Sequence, residues 1–170
     1  MTTYIALLRA VNVGGTGKLP MADLKSLCES LGFTKVKTYI ASGNVVFQSK
    51  KPEARVKAEL EAALAKYAGK PVGVLVRTAA ELAEVLAGNP FPEAPGNRTV
   101  AIFLDEASPA NALDDLKGIK GEQLHLGRRE IYVFYQNGMG ISKLIIPAGR
   151  SGTARNMNTV AQLVQMSGEL

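Results

Sequence analysis

An α+β fold in two subdomains, each built on a mainly antiparallel sheet, is predicted for this 170-residue chain. Three observations carry the prediction. Short apolar runs of strand length alternate with longer stretches whose apolar residues recur at helical spacing. Residues 89–97 hold Pro90, Pro92, Pro95 and Gly96 between two such series, which marks a linker. The series after the linker repeats the element order of the first in shortened form, with no repeat of the residues themselves.

Residues 4–8 are an apolar run that reads as a buried strand. Gly14, Gly15 and Gly17 mark a turn, and Pro20 suits the first turn of a helix, where a missing N–H costs nothing. Met21, Leu24, Leu27, Cys28 and Leu31 recur at helical spacing, and Gly32 can close that helix. Residues 36–40 and 45–47 are the next two strands, joined as a hairpin through Ser42, Gly43 and Asn44. Pro52 opens a helix with Val56, Leu60, Leu64 and Tyr67 on its apolar stripe and Gly69 beyond its end. Residues 72–76 form a fourth strand. Thr78 and Glu81 have the spacing of a capping box, ahead of Leu82, Val85 and Leu86. The order βαββαβ is ferredoxin-like, an antiparallel sheet covered by two helices on one face. This subdomain is assigned to residues 1–88.

The second subdomain, residues 98–170, opens with a strand over 99–104. Ser108 and Pro109 start a short helix that includes Leu113 and Leu116. Residues 123–126 and 131–135 pair as a hairpin around Gly127, Arg128 and Arg129. Gly138 and Gly140 flank a turn into the apolar run 141–146. The last helix runs from about Thr153 to Met166, with Met157, Val160, Leu163 and Val164 on its buried side. The order is βαββα, a shortened second ferredoxin-like unit.

Composition narrows the chemistry. At 46% hydrophobic and 21% charged residues the chain reads as a soluble globular protein, and with no Trp and only 6% aromatic residues its core is expected to be aliphatic. The net charge of +5 permits attraction to phosphate-rich partners, but the cations are spread along the chain. A single cysteine, Cys28, excludes an intrachain disulfide and a cysteine-based zinc site, and its place in an apolar stripe makes it a small buried hydrophobe. A single histidine, His125, excludes a His-rich metal site. No metal and no cofactor is expected. No apolar run approaches the roughly 18 residues of a membrane span, and no signal peptide opens the sequence, so a cytoplasmic protein with no membrane partner is expected.

Two phosphate-binding motifs fail on inspection. Gly17-Lys18 resembles the end of a phosphate loop, but Asn12 stands where its first glycine belongs, and Leu19 where a magnesium-binding hydroxyl is required. The dinucleotide fingerprint lacks its third glycine, because Pro20 stands there.

The polar motifs remain. Arg9 comes as an apolar strand ends, where a guanidinium can hold an anion bidentately or pair with a carboxylate. Asn12, Ser42 and Asn44 can serve turn geometry or a ligand. Ser142 and Lys143 sit in a glycine-bounded turn. With Thr153 as helix cap, Arg155 would fall in the first turn, the wrong charge for the helix dipole, and a bound anion would resolve the conflict. On that helix Arg155, Asn158, Thr159 and Gln162 would share one face.

These stretches together resemble the bacterial domain-of-unknown-function 1697 family. The resemblance rests on residues 8–15 (Leu8 and Arg9 through Gly15), 20–24, 38–47, 142–144 and 153–160, and covers nearly the whole chain. Ala10 stands where the family pattern usually has Gly, and Met157 where it has Trp. The resemblance implies an α+β fold of two ferredoxin-like subdomains and no assigned activity. Its motif residues are Arg9, Asn12, Ser42, Asn44, Ser142, Lys143, Thr153, Arg155, Asn156, Asn158 and Thr159, expected to converge on one cleft between the subdomains.

This set holds cations, amides and hydroxyls, with no carboxylate and no histidine, and such groups hold anionic oxygen rather than shuttle protons. The expected function is binding of a phosphorylated or otherwise anionic ligand, nucleotides and nucleic acids included. Tyr39 and Phe47, in the hairpin strands, read as core or sheet residues rather than stacking platforms. Two alternatives stand beside this reading. An enzyme could use Lys143 as base with Arg155 stabilising negative charge. The polar motifs could instead be structural bridges.

Overall fold

The computed structural model describes residues 1–12 and 18–170. The turn expected at Gly14, Gly15 and Gly17 lies outside the described residues. The chain divides into two compact units, Met1–Ala83 with Gln162–Leu170, and Glu84–Ala161.

The first unit holds strand β1 (Thr2–Leu8), helix α1 (Met21–Ser30), strands β2 (Thr34–Tyr39) and β3 (Asn44–Ser49), helix α2 (Glu53–Ala68) and strand β4 (Val74–Thr78). The sheet order is β2-β3-β1-β4, all neighbours antiparallel, as the βαββαβ series predicts. Tyr4, Ala6 and Leu8 alternate onto the face that packs with Leu24 and Cys28 of α1 and with Val56, Leu60 and Leu64 of α2. Phe33 stacks on Phe47 within this core, ring centroids 4.4 Å apart, so Phe47 is a core residue. The other face of the sheet is buried too, through Ile5, Leu7, Val46, Leu75 and Arg77. That double burial explains why β1 reads as a continuous apolar run rather than an alternating one.

The helix ends follow their sequence signals. Gly32 (φ +87°) follows α1, and Gly69 (φ +72°) ends α2 in the left-handed conformation. Helix α3 (Ala79–Ala87) starts from the expected capping box: Glu81 N–H donates to Thr78 Oγ1 at 3.1 Å, and Thr78 N–H to Glu81 Oε1 at 2.9 Å.

The second unit carries strands β5 (Thr99–Phe103), β6 (Gln123–Leu126), β7 (Glu130–Phe134) and β8 (Thr153–Asn156) in the order β6-β7-β5-β8, again antiparallel. Numbered from its own first strand, this is the order of the first sheet. Val100, Ile102, Ile131 and Val133 form its core face. Tyr132 is buried, donates its hydroxyl to Val85 O at 2.8 Å, and has its phenol pushed up to about 12 by that burial and, secondarily, by Glu130.

Two expectations fail here. The segment around Ser108 and Pro109 forms turns instead of a helix: Ala112 N–H donates to Pro109 O and Asp114 N–H to Asn111 O, three residues back. Pro109, Asn111, Asp114 and Asp115 all favour turns, and Ala112, Leu113 and Leu116 reach the core from them. Thr153 does not begin the last helix. Thr153–Asn156 is strand β8, paired with β5 from Phe103↔Thr153 to Val100↔Asn156, and helix α4 is Met157–Gly168.

Candidate functional site

At one end of the first sheet, β1 runs out into Arg9, Ala10, Val11 and Asn12, beside the β2–β3 hairpin. Leu8 N–H donates to Gly43 O at 2.9 Å. Gly43 has φ +89°, and a Cβ there would come within 2.7 Å of Val11 Cγ2 and 2.9 Å of Leu8 Cβ, so only glycine permits this approach. Arg9, Asn12, Ser42 and Asn44 are therefore brought to the same end of the sheet, a point that strand order alone leaves open.

Their roles differ. Asn12 gives its whole amide to the backbone. Nδ2 donates to Leu19 O at 2.9 Å and to Ala41 O at 2.8 Å, while Oδ1 accepts Leu19 N–H at 2.6 Å. Asn44 is fully buried and donates from Nδ2 to Tyr39 O and to Ser42 Oγ, both at 2.9 Å. These amides hold the turn together.

Arg9 is placed otherwise. With Lys18 and Lys70 it lines a pocket of about 360 Å³, along with Ala10, Val11, Leu19, Leu64, Tyr67, Ala68, Pro71 and Val72. Three separated segments supply the cations. Arg9 follows β1, and its N–H donates to Gly73 O at 2.9 Å while its stem lies over that glycine, where an added Cβ would stand 3.0 Å from Cδ. Lys18 is exposed and precedes Leu19, the residue Asn12 clamps. Lys70 is exposed just past the left-handed Gly69, at the C-terminal end of α2. No carboxylate lies among the described lining residues. Tyr67, expected on the buried stripe of α2, is 44% exposed at the pocket. Its hydroxyl donates to Asp23 Oδ2, which raises the phenol's pKa, with partial desolvation adding to it. Sequence reasoning met Lys18 only in a phosphate-loop motif that fails and passed over Lys70, because the segments that carry them meet only through the fold.

In the second unit, Ser142 and Lys143 line a separate pocket of about 490 Å³ with Gly118, Ile119, Lys120, Glu122, Tyr135 and Ile141 among others. Ser142 Oγ accepts Leu144 N–H at 3.2 Å, a local turn bond. Lys143 is exposed, so the burial on which its use as a base depends is missing.

The arrangement around Arg155 corrects the sequence reading. Arg155 lies in β8, opposite Ala101, not in a helix. It lies in the strand that leads into α4 and not in that helix's first turn, and it does not share a helical face with Asn158, Thr159 and Gln162. Its Nη1 donates to Thr153 Oγ1 at 2.8 Å and to Ala154 O at 2.9 Å, and it is only 7% exposed. Burial pushes its pKa down to about 10, which leaves it charged at neutral pH. The helix cap is Asn156, whose Oδ1 accepts Thr159 N–H at 2.9 Å. Asn158 packs on the turn before β5, where a Cβ on Gly96 would meet its Oδ1 at 2.1 Å. Thr159 and Met157 are buried.

Two four-stranded antiparallel sheets with helices, and a cation-lined pocket at the end of the first sheet, define the class: a mixed α+β protein. The chain belongs to the family described as protein of unknown function (DUF1697), whose model matches residues 1–132. Among solved structures it is similar to the conserved bacterial protein SP0830 from Streptococcus pneumoniae, at 27% identity and a TM-score of 0.77 over 98% of each chain. Among curated proteins no match is found. The family match ends at residue 132, before β8, whereas the structural likeness runs through both units. Among the described residues no helix is long and apolar enough to cross a membrane.

Proposed function

We propose that the protein binds a small phosphorylated ligand in the pocket of the first unit, with Arg9, Lys18 and Lys70 holding the phosphate. The observation that carries this reading is the convergence of three cations from distant segments on one pocket whose described lining has no carboxylate. Like charges gathered in this way repel one another, a multiply charged anion offsets that repulsion, and a guanidinium can take two of its oxygens at once. The remaining lining residues are mostly apolar, which strengthens a charge interaction by excluding water. The Asn12 clamp fixes Leu19, and with it the position from which Lys18 projects.

The test is calorimetric titration with inorganic pyrophosphate at low salt. Wild type is expected to bind saturably, more weakly as salt rises. The double variant Lys18→Ala, Lys70→Ala changes only exposed side chains, so folding is kept, and its affinity falls by about tenfold or more, the equivalent of ~1.4 kcal/mol. Equal affinity in wild type and variant would refute the proposal.

A further inference from the structure

We infer that the phosphorylated ligand is a mononucleotide whose base lies against the Tyr67 ring, and that the pocket does not discriminate adenine from guanine. The inference rests on the phosphate reading of the same pocket and adds the class of molecule attached to the phosphate.

The lining residues other than the cations select that class. Val11, Leu19, Leu64, Ala68, Pro71 and Val72 offer hydrocarbon. A free sugar phosphate would offer the rest of the pocket only hydroxyls, each needing a hydrogen-bond partner when it leaves water, whereas a nucleotide adds a flat aromatic base to the same sugar. Among the described lining residues there is no Ser, Thr, Asn, Gln, Asp or Glu to provide one. A planar aromatic group suits hydrocarbon walls better. Tyr67 supplies the matching surface, because an aromatic ring at the protein surface is a platform for any base. Its hydroxyl is tied to Asp23, so the ring is held in place before a ligand arrives. The volume of about 360 Å³ lies at the small end of ligand pockets, which suits one nucleotide unit.

The same lining explains why the base would go unread. With Arg9, Lys18 and Lys70 on the phosphate and the Tyr67 hydroxyl on Asp23, no described lining side chain remains to tell adenine from guanine at the base edge. Stacking is indifferent to that edge, since every base has a π face.

The experiment is a competition series against pyrophosphate with AMP, GMP and ribose 5-phosphate, on wild type, Tyr67→Phe and Tyr67→Ala. AMP and GMP are expected to bind within about threefold of each other, and about tenfold or more tighter than ribose 5-phosphate, the fold-change that stacking on one aromatic side chain gives. Tyr67→Phe, which keeps the ring but loses its tie to Asp23, keeps most of the gain. Tyr67→Ala lowers both nucleotides to the level of ribose 5-phosphate and leaves pyrophosphate where it was. If pyrophosphate binds but AMP gains nothing over ribose 5-phosphate, the nucleotide assignment is wrong while the phosphate reading stands. If Tyr67→Ala keeps the nucleotide gain, the base does not lie on Tyr67. A difference between AMP and GMP beyond about tenfold would overturn the lack of discrimination. If pyrophosphate itself does not bind, both readings fall.

Discussion

Replacing Asn12 by alanine should cost the protein about 2–3 kcal/mol of stability. The side chain makes three hydrogen bonds, two as donor and one as acceptor, all to backbone groups of Leu19 and Ala41. Each is worth roughly 1 kcal/mol net, but the one to Ala41 is exposed and water can replace much of it, which leaves about 2. A further part of a kcal/mol comes from the backbone. Asn12 has φ +55°, a left-handed conformation that Asn tolerates and Ala resists by roughly 1 kcal/mol. In a chain of this length the sum lowers the midpoint of thermal unfolding by about 5–10 °C. The assay is urea unfolding followed by far-UV circular dichroism, since the chain has no Trp to report it. Two companion variants separate the causes. Asn12→Gly loses the same bonds but relaxes the backbone, so it should be less damaging than Asn12→Ala. Asn12→Asp keeps the acceptor toward Leu19 N–H but turns a carboxylate on the carbonyls of Leu19 and Ala41, so it should be worse than Asn12→Gly. If Asn12→Ala costs less than about 0.5 kcal/mol, the amide is not a clamp.

Two further outcomes follow from local backbone geometry. Ala10 sits at φ +51°, a left-handed conformation that glycine adopts freely, so Ala10→Gly should stabilise the chain by about 0.5 kcal/mol after the glycine's greater unfolded entropy is subtracted; a lower urea midpoint would contradict this. Asn156→Ala should cost about 1 kcal/mol and Asn156→Ser only a fraction of that, because a serine hydroxyl also accepts the Thr159 amide; equal midpoints for the two variants would show that Asn156 does not cap α4.

The first unit was largely legible in the sequence because its signals are local. Gly32 and Gly69 end helices where periodicity stops, and the Thr78–Glu81 pair marks a helix start that the structure reproduces bond for bond. Strand β8 was not legible. Thr153, Ala154, Arg155 and Asn156 are short or polar, and only pairing with β5 makes them a strand. Read without that partner, Thr153 passed for the cap, although Asn156 is an equally good capping residue three positions nearer the apolar run. The candidate pocket was half legible. Arg9 stood out as a cation closing an apolar strand, but Lys18 appeared only in a phosphate-loop motif that fails and Lys70 not at all, because their common pocket exists only in the fold. The charge count in the sequence was right about number and silent about place.

The lone cysteine offers a practical handle. Cys28 is fully buried on the core-facing side of α1, and burial, with a smaller push from Glu29, raises its thiol to about 12. Thiolate is the reactive form, so this sulfur stays dark to maleimide dyes at neutral pH while the protein is folded. The native chain is thus its own cysteine-free background. A change such as Lys66→Cys, on the exposed last turn of α2 beside Tyr67, would accept one fluorophore at one known position. Labelling of Cys28 itself would then report unfolding, so one reagent could read both occupancy of the pocket and integrity of the core.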